Sequence, residues 1–271
     1  RAYTFTFSAA YQILDNLSIG AGLSLYYITL SIETEDKLLK FIPPTTIIRG
    51  DTSQFISGLG VSGNIGILFK PTKTLSLGLS ARLPVAVDLK GDFEIKNSTG
   101  NLADGKFKSY KNMKAPLNIG FGIAYYIIDD LRLSLDFEYQ GWASSKNIPY
   151  KNKPTDSEEN HAYGWKNSFR FGLGAEYFLS SDLSLLGGFK LAPSAINDTY
   201  LGLDNADLTA YAFFLGAGYQ FLSHFKIEGG LSYVYYPDKN QKKVHNDAPV
   251  KATGNFSKQI LGAGIQIKFL F

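Results

Sequence analysis

The sequence predicts an all-β protein, a transmembrane antiparallel β-barrel with about eleven strands in this chain. Three observations predict it. Apolar and polar residues alternate with period two through most of the chain, the pattern of strands whose two faces meet different surroundings. Connections alternate between short and long, as on the two rims of an outer-membrane-type barrel. The polar face is built of Gly, Ser, Thr and Ala with scattered charges of both signs. Such a face suits an inner wall better than a surface in water.

The strands are expected at 2–13, 17–33, 54–70, 75–91, 114–127, 131–143, 165–178, 183–192, 209–221, 225–237 and 258–271. The clearest is 131–143, where Leu131, Leu133, Leu135, Phe137 and Tyr139 oppose Arg132, Ser134, Asp136, Glu138 and Gln140. Short turns fall at Leu14-Asp15-Asn16, Pro71–Thr74, Ile128-Asp129-Asp130, Leu179–Asp182 and Leu222-Ser223-His224. Long connections fall at about 34–53, 92–113, 144–164, 193–208 and 238–257, and a short helix at Asp36–Ile42 is compatible with the first. Tyr11, Tyr125, Tyr177 and Tyr219 precede short turns, while Tyr27, Trp142, Tyr233 and Tyr235 sit near the other rim. Together they read as two aromatic girdles around a lipid-facing band.

Composition narrows the function classes. The 271 residues include no cysteine, which removes disulfides, thiolate metal sites and a cysteine nucleophile. Lys and Arg number 27 against 24 Asp and Glu, too balanced to indicate nucleic acid. Gly58-Leu59-Gly60-Val61-Ser62-Gly63 matches a dinucleotide fingerprint but lies inside an alternating strand with no helix after it. His161, His224 and His245 fall on separate connections, and no catalytic constellation emerges, so an enzyme is not expected. The polar group Asp156, Glu158, Glu159, Asn160 and His161 reads as a solvated or lipopolysaccharide-facing loop. Strand parity expects an odd number of strands before Arg1, so that both ends of the barrel lie in the periplasm.

Several stretches resemble the FadL/TodX family of outer-membrane transporters for long-chain fatty acids and hydrophobic compounds. They are Ala9-Ala10-Tyr11-Gln12 with Leu17–Gly22, Pro116–Gly122 leading to Leu131–Glu138, Tyr139-Gln140-Gly141-Trp142, and Gly188–Ser194. The resemblance implies a fourteen-stranded barrel, of which 1–271 would be the C-terminal barrel domain. The N-terminal hatch, the first strands and the kinked third strand would lie outside this sequence. It further implies passive uptake of hydrophobic compounds, fatty acids first, with lateral exit and no cofactor. The alternatives are a protein-interaction or secretion-shuttle barrel of the PorV type and a general porin. Partners would be outer-membrane lipid and lipopolysaccharide, a hydrophobic ligand such as a fatty acid, and in the shuttle reading a protein; long loops would be extracellular.

A fatty acid needs an apolar groove and one or two cations for its carboxylate. Arg170 and Lys190 are the leading candidates, on adjacent strands and facing inward among glycines, with Arg82 and Arg132 behind them. Cross-strand pairing among the inner charges is the competing expectation for each. A first, looser site is expected on Phe41, Ile42, Ile47 and Ile48, unusually apolar for a connection, with Leu201, Leu203 and Leu208 joining them.

Overall fold

The computed structural model describes residues 1–42, 46–99, 104–145, 147–152, 159–162, 164–201, 207–222, 224–241 and 253–269, with backbone alone for 36–42, 46–49, 147–152, 159–162 and 222. The strands are β1 (Ala2–Leu14), β2 (Leu17–Ile42), β3 (Thr46–Phe69), β4 (Leu75–Arg82), β5 (Val85–Lys96), β6 (Gly105–Ala115), β7 (Asn118–Ile128) and β8 (Leu131–Gln140). They continue as β9 (Asn147–Asn152), β10 (Glu159–Ala162), β11 (Ser168–Phe178), β12 (Leu183–Ala192), β13 (Ala210–Leu222), β14 (Phe225–Gln241) and β15 (Gly254–Phe269). All pair antiparallel in one sheet. No helix is long and apolar enough to cross a membrane, which has no bearing on crossing by strands.

The alternation decides which face is which. On one face Leu215 is 72%, Leu231 66%, Leu261 83% and Ile265 80% exposed. On the other, Gly172, Ser184 and Gly218 are buried. A protein in water would hide the first set, and its largest exposed apolar patches are usually small. Among the described residues the buried apolar side chains form two small clusters, Ile56, Val85, Val87 and Leu89, and Ile196, Leu201 and Leu208, with Ile95, Ala195 and Ala212 outside them. The greasy face is therefore the lipid-contacting exterior of a sheet whose strands bond one another side by side. Tyr11, Tyr125, Tyr177 and Tyr219 stand exposed on it beside the short turns, and Tyr27, Tyr233 and Tyr235 toward the opposite rim. Trp142 departs from the expected girdle. It lies in a 3-10 turn, Trp142–Ser145, stacked on Trp165 at 4.9 Å, because its indole N–H donates to the Gln140 side-chain oxygen at 3.2 Å.

The expected strand 75–91 is two strands. β4 pairs with β3 from Asn64↔Arg82 to Phe69↔Leu77, and β5 pairs with the other half of β3 from Asp51↔Lys96 to Ser57↔Lys90. Between them the β5 side of β3 carries no ladder over 58–63, apart from Leu83 N–H to the Gly63 carbonyl at 2.9 Å. The partner strand breaks at the same level, β6 giving way to β7 at Pro116-Leu117, opposite Leu83-Pro84. A proline supplies no N–H, so two of them facing each other end the ladder on both strands. Freed there, β5 moves across the inner face of β3. Val85, Val87 and Leu89 bury against Ile56 and against Tyr26, Ile28 and Leu30 of β2. Gly58 and Gly60 permit this approach. A Cβ on Gly60 would lie 2.9 Å from the Val85 methyl and nearer still to Val87. The glycines of the fingerprint-like run thus serve packing of strand on strand.

Three expected loops also prove to be strands. β2 and β3 extend to Ile42 and from Thr46, so Asp36–Ile42 is strand backbone and 34–53 is a long hairpin. The stretch 92–113 carries the β5–β6 hairpin, and 144–164 carries β9–β10, which pairs onto β6 at Ser109↔Asn152 to Lys111↔Tyr150. Polar composition hid the second and third, because a hairpin beyond the bilayer has no lipid-facing side to mark its alternation. Asp156, Glu158, His245, Leu203 and Phe271 lie outside the described residues.

Carboxylates hold the β5–β6 hairpin. Asp92 bonds Lys108 and Lys106 across it at 2.9 and 3.1 Å, and Asp104 accepts from the Ser98 N–H, the Ser98 hydroxyl and the Asn97 N–H. These donors hold both carboxyls below the usual Asp range, the lysines for Asp92 and Ser98 foremost for Asp104. A depressed folded pKa means stabilisation present above the unfolded value and lost as pH falls through the folded one. Amide exchange in 92–108 should therefore accelerate once pH drops below the normal Asp range, while amides of β13 and β14 stay protected. Equal acceleration in both regions would contradict this.

Candidate functional site: the inner face

Most inner charges pair with one another. Arg132 on β8 meets Glu176 on β11, whose residue is 7% exposed. Lys226 on β14 reaches Glu176 at 3.9 Å and Glu228 at 2.9 Å, and Lys268 on β15 closes on Glu228. This alternating row runs across β12 and β13 over Ser184 and Gly218, where a larger residue would block it. A Cβ on Gly218 would meet Lys226 and Ser184 at 3.0 Å. Much of the glycine space read as room for a ligand is room for these ion pairs. Gly172 likewise makes way for the Asp136 carboxylate. Of the candidate cations, Arg132 is thus committed to Glu176, as cross-strand pairing predicts.

Two of the concavities on this face, among the described residues, are large. One, of about 990 Å³, lies between β1–β4 and β7–β8, and Arg82, Asn118, Asp136 and Glu138 line it beside Ser80, Gly120 and Gly122. Arg82 forms no ion pair with a described residue, yet it shares the space with two carboxylates. The other, of about 690 Å³, lies over β12–β15. Leu186 and Phe214 wall it above a floor that includes Gly188, Gly216, Gly230 and Gly264. Phe214 is one of few large apolar side chains aimed inward, and its ring is 41% exposed. The strand alternation hid it, since Phe213 and Phe214 adjoin and only the register assigns the second to the interior.

Lys190 is near this second niche in register without lining it, and Glu228 and Gln266 are among the residues that do line it. It pairs in register with Ala212, next to the Gly188↔Phe214 pair, and on its other side with Gly172. No ion pair joins it to a described residue. Arg170 is also on the inner face of the adjacent strand, but it lies opposite Glu138, 3.8 Å away, and lines a separate cleft of about 190 Å³ at the long-loop rim. The register therefore sets Lys190 one inner position from the niche and places Arg170 apart from it.

The apolar loop residues fare differently. Phe41 pairs with Ile47 and Ile42 with Thr46 at the tip of the β2–β3 hairpin, while Ile48 pairs with Lys40. Their side chains lie outside the described residues. Leu201 and Leu208 form no exposed patch. They bury with Ile196 beneath Tyr200, Tyr236 and Phe256, making a small packed cap at the mouth. Among the described residues no group of three His, Asp or Glu is placed to hold a metal ion.

The family model for outer membrane protein transport proteins (OMPP1/FadL/TodX) matches residues 1–271. Outer membrane protein P1 of Haemophilus influenzae is 21% identical over 269 residues, covering 90% of this chain and 57% of its own length. The long-chain fatty acid transport protein of Escherichia coli is 22% identical over 259 residues, covering 84% of this chain and 57% of its own. The chain thus spans a little over half the length of these curated relatives. Among solved structures, a Pseudomonas aeruginosa FadL homologue superposes with a TM-score of 0.75 at 16% identity, over 98% of this chain and 66% of that one. The Ralstonia pickettii toluene transporter TbuX superposes with 0.70 at 18% identity, over 100% and 69%. Those likenesses establish the β-barrel fold, and the end-to-end family match shows that this chain belongs to the OMPP1/FadL/TodX family of outer-membrane proteins.

Proposed function

We propose that this chain forms most of the wall of a passive outer-membrane channel for hydrophobic compounds, long-chain fatty acids among them. The observation that carries the reading is the Leu186–Phe214 niche beside Lys190. It offers an apolar surface for a hydrocarbon chain and, one inner position along β12, the Lys190 ammonium, which forms no ion pair with a described residue; these are the two elements a fatty acid requires. Related proteins are named for fatty acid and for toluene transport, which fits a route whose walls are mainly apolar or small. In this reading the long loops face outside and the short turns face the periplasm. Lipid and lipopolysaccharide surround the outer face. The unladdered stretch of β3 at 58–63 supports lateral exit, since a wall without cross-strand bonds there parts at low cost. Diffusion down a gradient needs no cofactor and no catalytic residue.

Flux through the full chain reconstituted in liposomes tests this. Oleate and toluene should both cross faster than in empty liposomes. Lys190→Gln should slow oleate about tenfold, the scale of one lost charge-assisted hydrogen bond, and leave toluene within twofold. Equal slowing of both, or of neither, would remove Lys190 from the route. Steady ion conductance without selective flux would favour a general porin.

A further inference from the structure

The two tryptophans of the chain, Trp142 and Trp165, meet in the 190 Å³ cleft at the long-loop rim. Their rings stack with 24° between planes, and Tyr236, Leu208, Ala195 and Ala210 complete an apolar wall. Strand ends and cap build the cleft together. Gln140 and Ser168, each 5% exposed, form its floor, and Trp165 bridges to Ile196 of the packed cap. The Gln140 side chain is locked at both ends, accepting from Trp142 and donating to Glu138 at 2.9 Å. Arg170 projects into this space. Its nearest carboxylate oxygen, on Glu138, is 3.8 Å away, beyond hydrogen-bond reach, and is already bonded to Gln140. The other carboxylate of the cleft, Asp207, accepts from the Ala195 N–H through Oδ2, while the Ser194 hydroxyl bonds the Asp207 backbone carbonyl at 2.7 Å.

The geometry points to a second ligand site, distinct from the lumen niche, for a single-ring aromatic carboxylate. The ring lies against the indoles and the carboxylate takes the guanidinium fork of Arg170, a planar match that favours two parallel bonds. Size sets the selectivity. An apolar cavity of about 150 Å³ holds one benzene, so one ring with one small substituent fills this cleft. An eighteen-carbon chain, with three times the carbon count of that ring, does not enter. The inference rests on the channel reading for its purpose, a sorting step at the mouth, but not for its test.

Because both tryptophans of the chain line the cleft, its occupancy reads out directly. The full chain in lipid nanodiscs is titrated with benzoate, toluene and oleate while tryptophan emission is recorded. Benzoate should give a saturable change, and oleate none that displaces it. Arg170→Gln should weaken benzoate about tenfold, as loss of a charge-assisted pair does, with a much smaller effect on toluene. Ala210→Leu, which fills the space without touching Arg170, should abolish saturation for both rings. A benzoate response that never saturates, or that Arg170→Gln and Ala210→Leu both leave intact, overturns the site. Liposome flux of oleate through the unaltered protein separates the two readings. Saturation without flux sinks the channel and keeps the cleft, whereas flux without saturation does the reverse.

Discussion

Leu231→Lys is expected to destabilise the folded protein by about 2–4 kcal/mol, the cost of a lysine near the bilayer midplane on a barrel's lipid face. Leu231 sits in the middle of β14, 66% exposed, between Leu215 and Ala263 of the flanking strands. Its neighbour Ser232 points to the opposite side, where its hydroxyl stands over Gly262 of β15. Ser232→Lys should cost under about 1 kcal/mol, because its ammonium enters the interior where a charge is hydrated or paired. Guanidinium unfolding in phospholipid vesicles, followed by tryptophan emission, measures both. The comparison is severe because the two positions adjoin, so strand propensity and depth are nearly shared and orientation alone differs. Similar losses for both variants, or a larger loss for Ser232→Lys, would reverse the assignment of the faces.

Gly60→Val is the second large effect, about 1–3 kcal/mol from overpacking. The added methyls would meet Val87 and Val85, whose own positions are held by Ile56 and by β2. With no ladder to β3 over 58–63, β5 is held there by packing alone, so the overpacking is relieved by shifting it. The expected consequence is a displaced β5, seen as faster amide exchange in 85–91 together with the lower unfolding midpoint. Gly78→Val supplies the control. Its Cβ would meet nothing within 4 Å, so the loss should stay below about 0.5 kcal/mol. If the two substitutions cost the same, the inward course of β5 is not what Gly60 serves.

Much of the wall was legible in the chain itself. Leu131–Gln140, Ser168–Phe178 and Leu183–Ala192 appear where alternation places them, because a strand with lipid on one side and water on the other writes its period directly into residue type. The hairpins beyond the bilayer were not legible. Gly105–Ala115 and Asn147–Asn152 carry no sustained apolar/polar alternation in their residues, so nothing local distinguishes them from loops. The site was legible in part. Lys190, Arg170, Arg132 and Arg82 are all on inward-pointing register positions, as their parity requires. Which of them has a partner depends on how strands meet across the sheet, and periodicity along one strand carries no such information.

By itself, then, the order of residues determined a barrel wall, the face that meets lipid and the positions of most turns, since each of these follows from neighbours within a few residues. The tertiary structure alone decided three things: that β5 crosses over Gly58 and Gly60, that Arg132 is bound to Glu176 while Lys190 meets no described carboxylate, and that Trp142 joins Trp165 instead of a girdle. Each is a contact between segments far apart in the chain. Its energy depends on shape and charge at the meeting point, which a two-residue period does not encode.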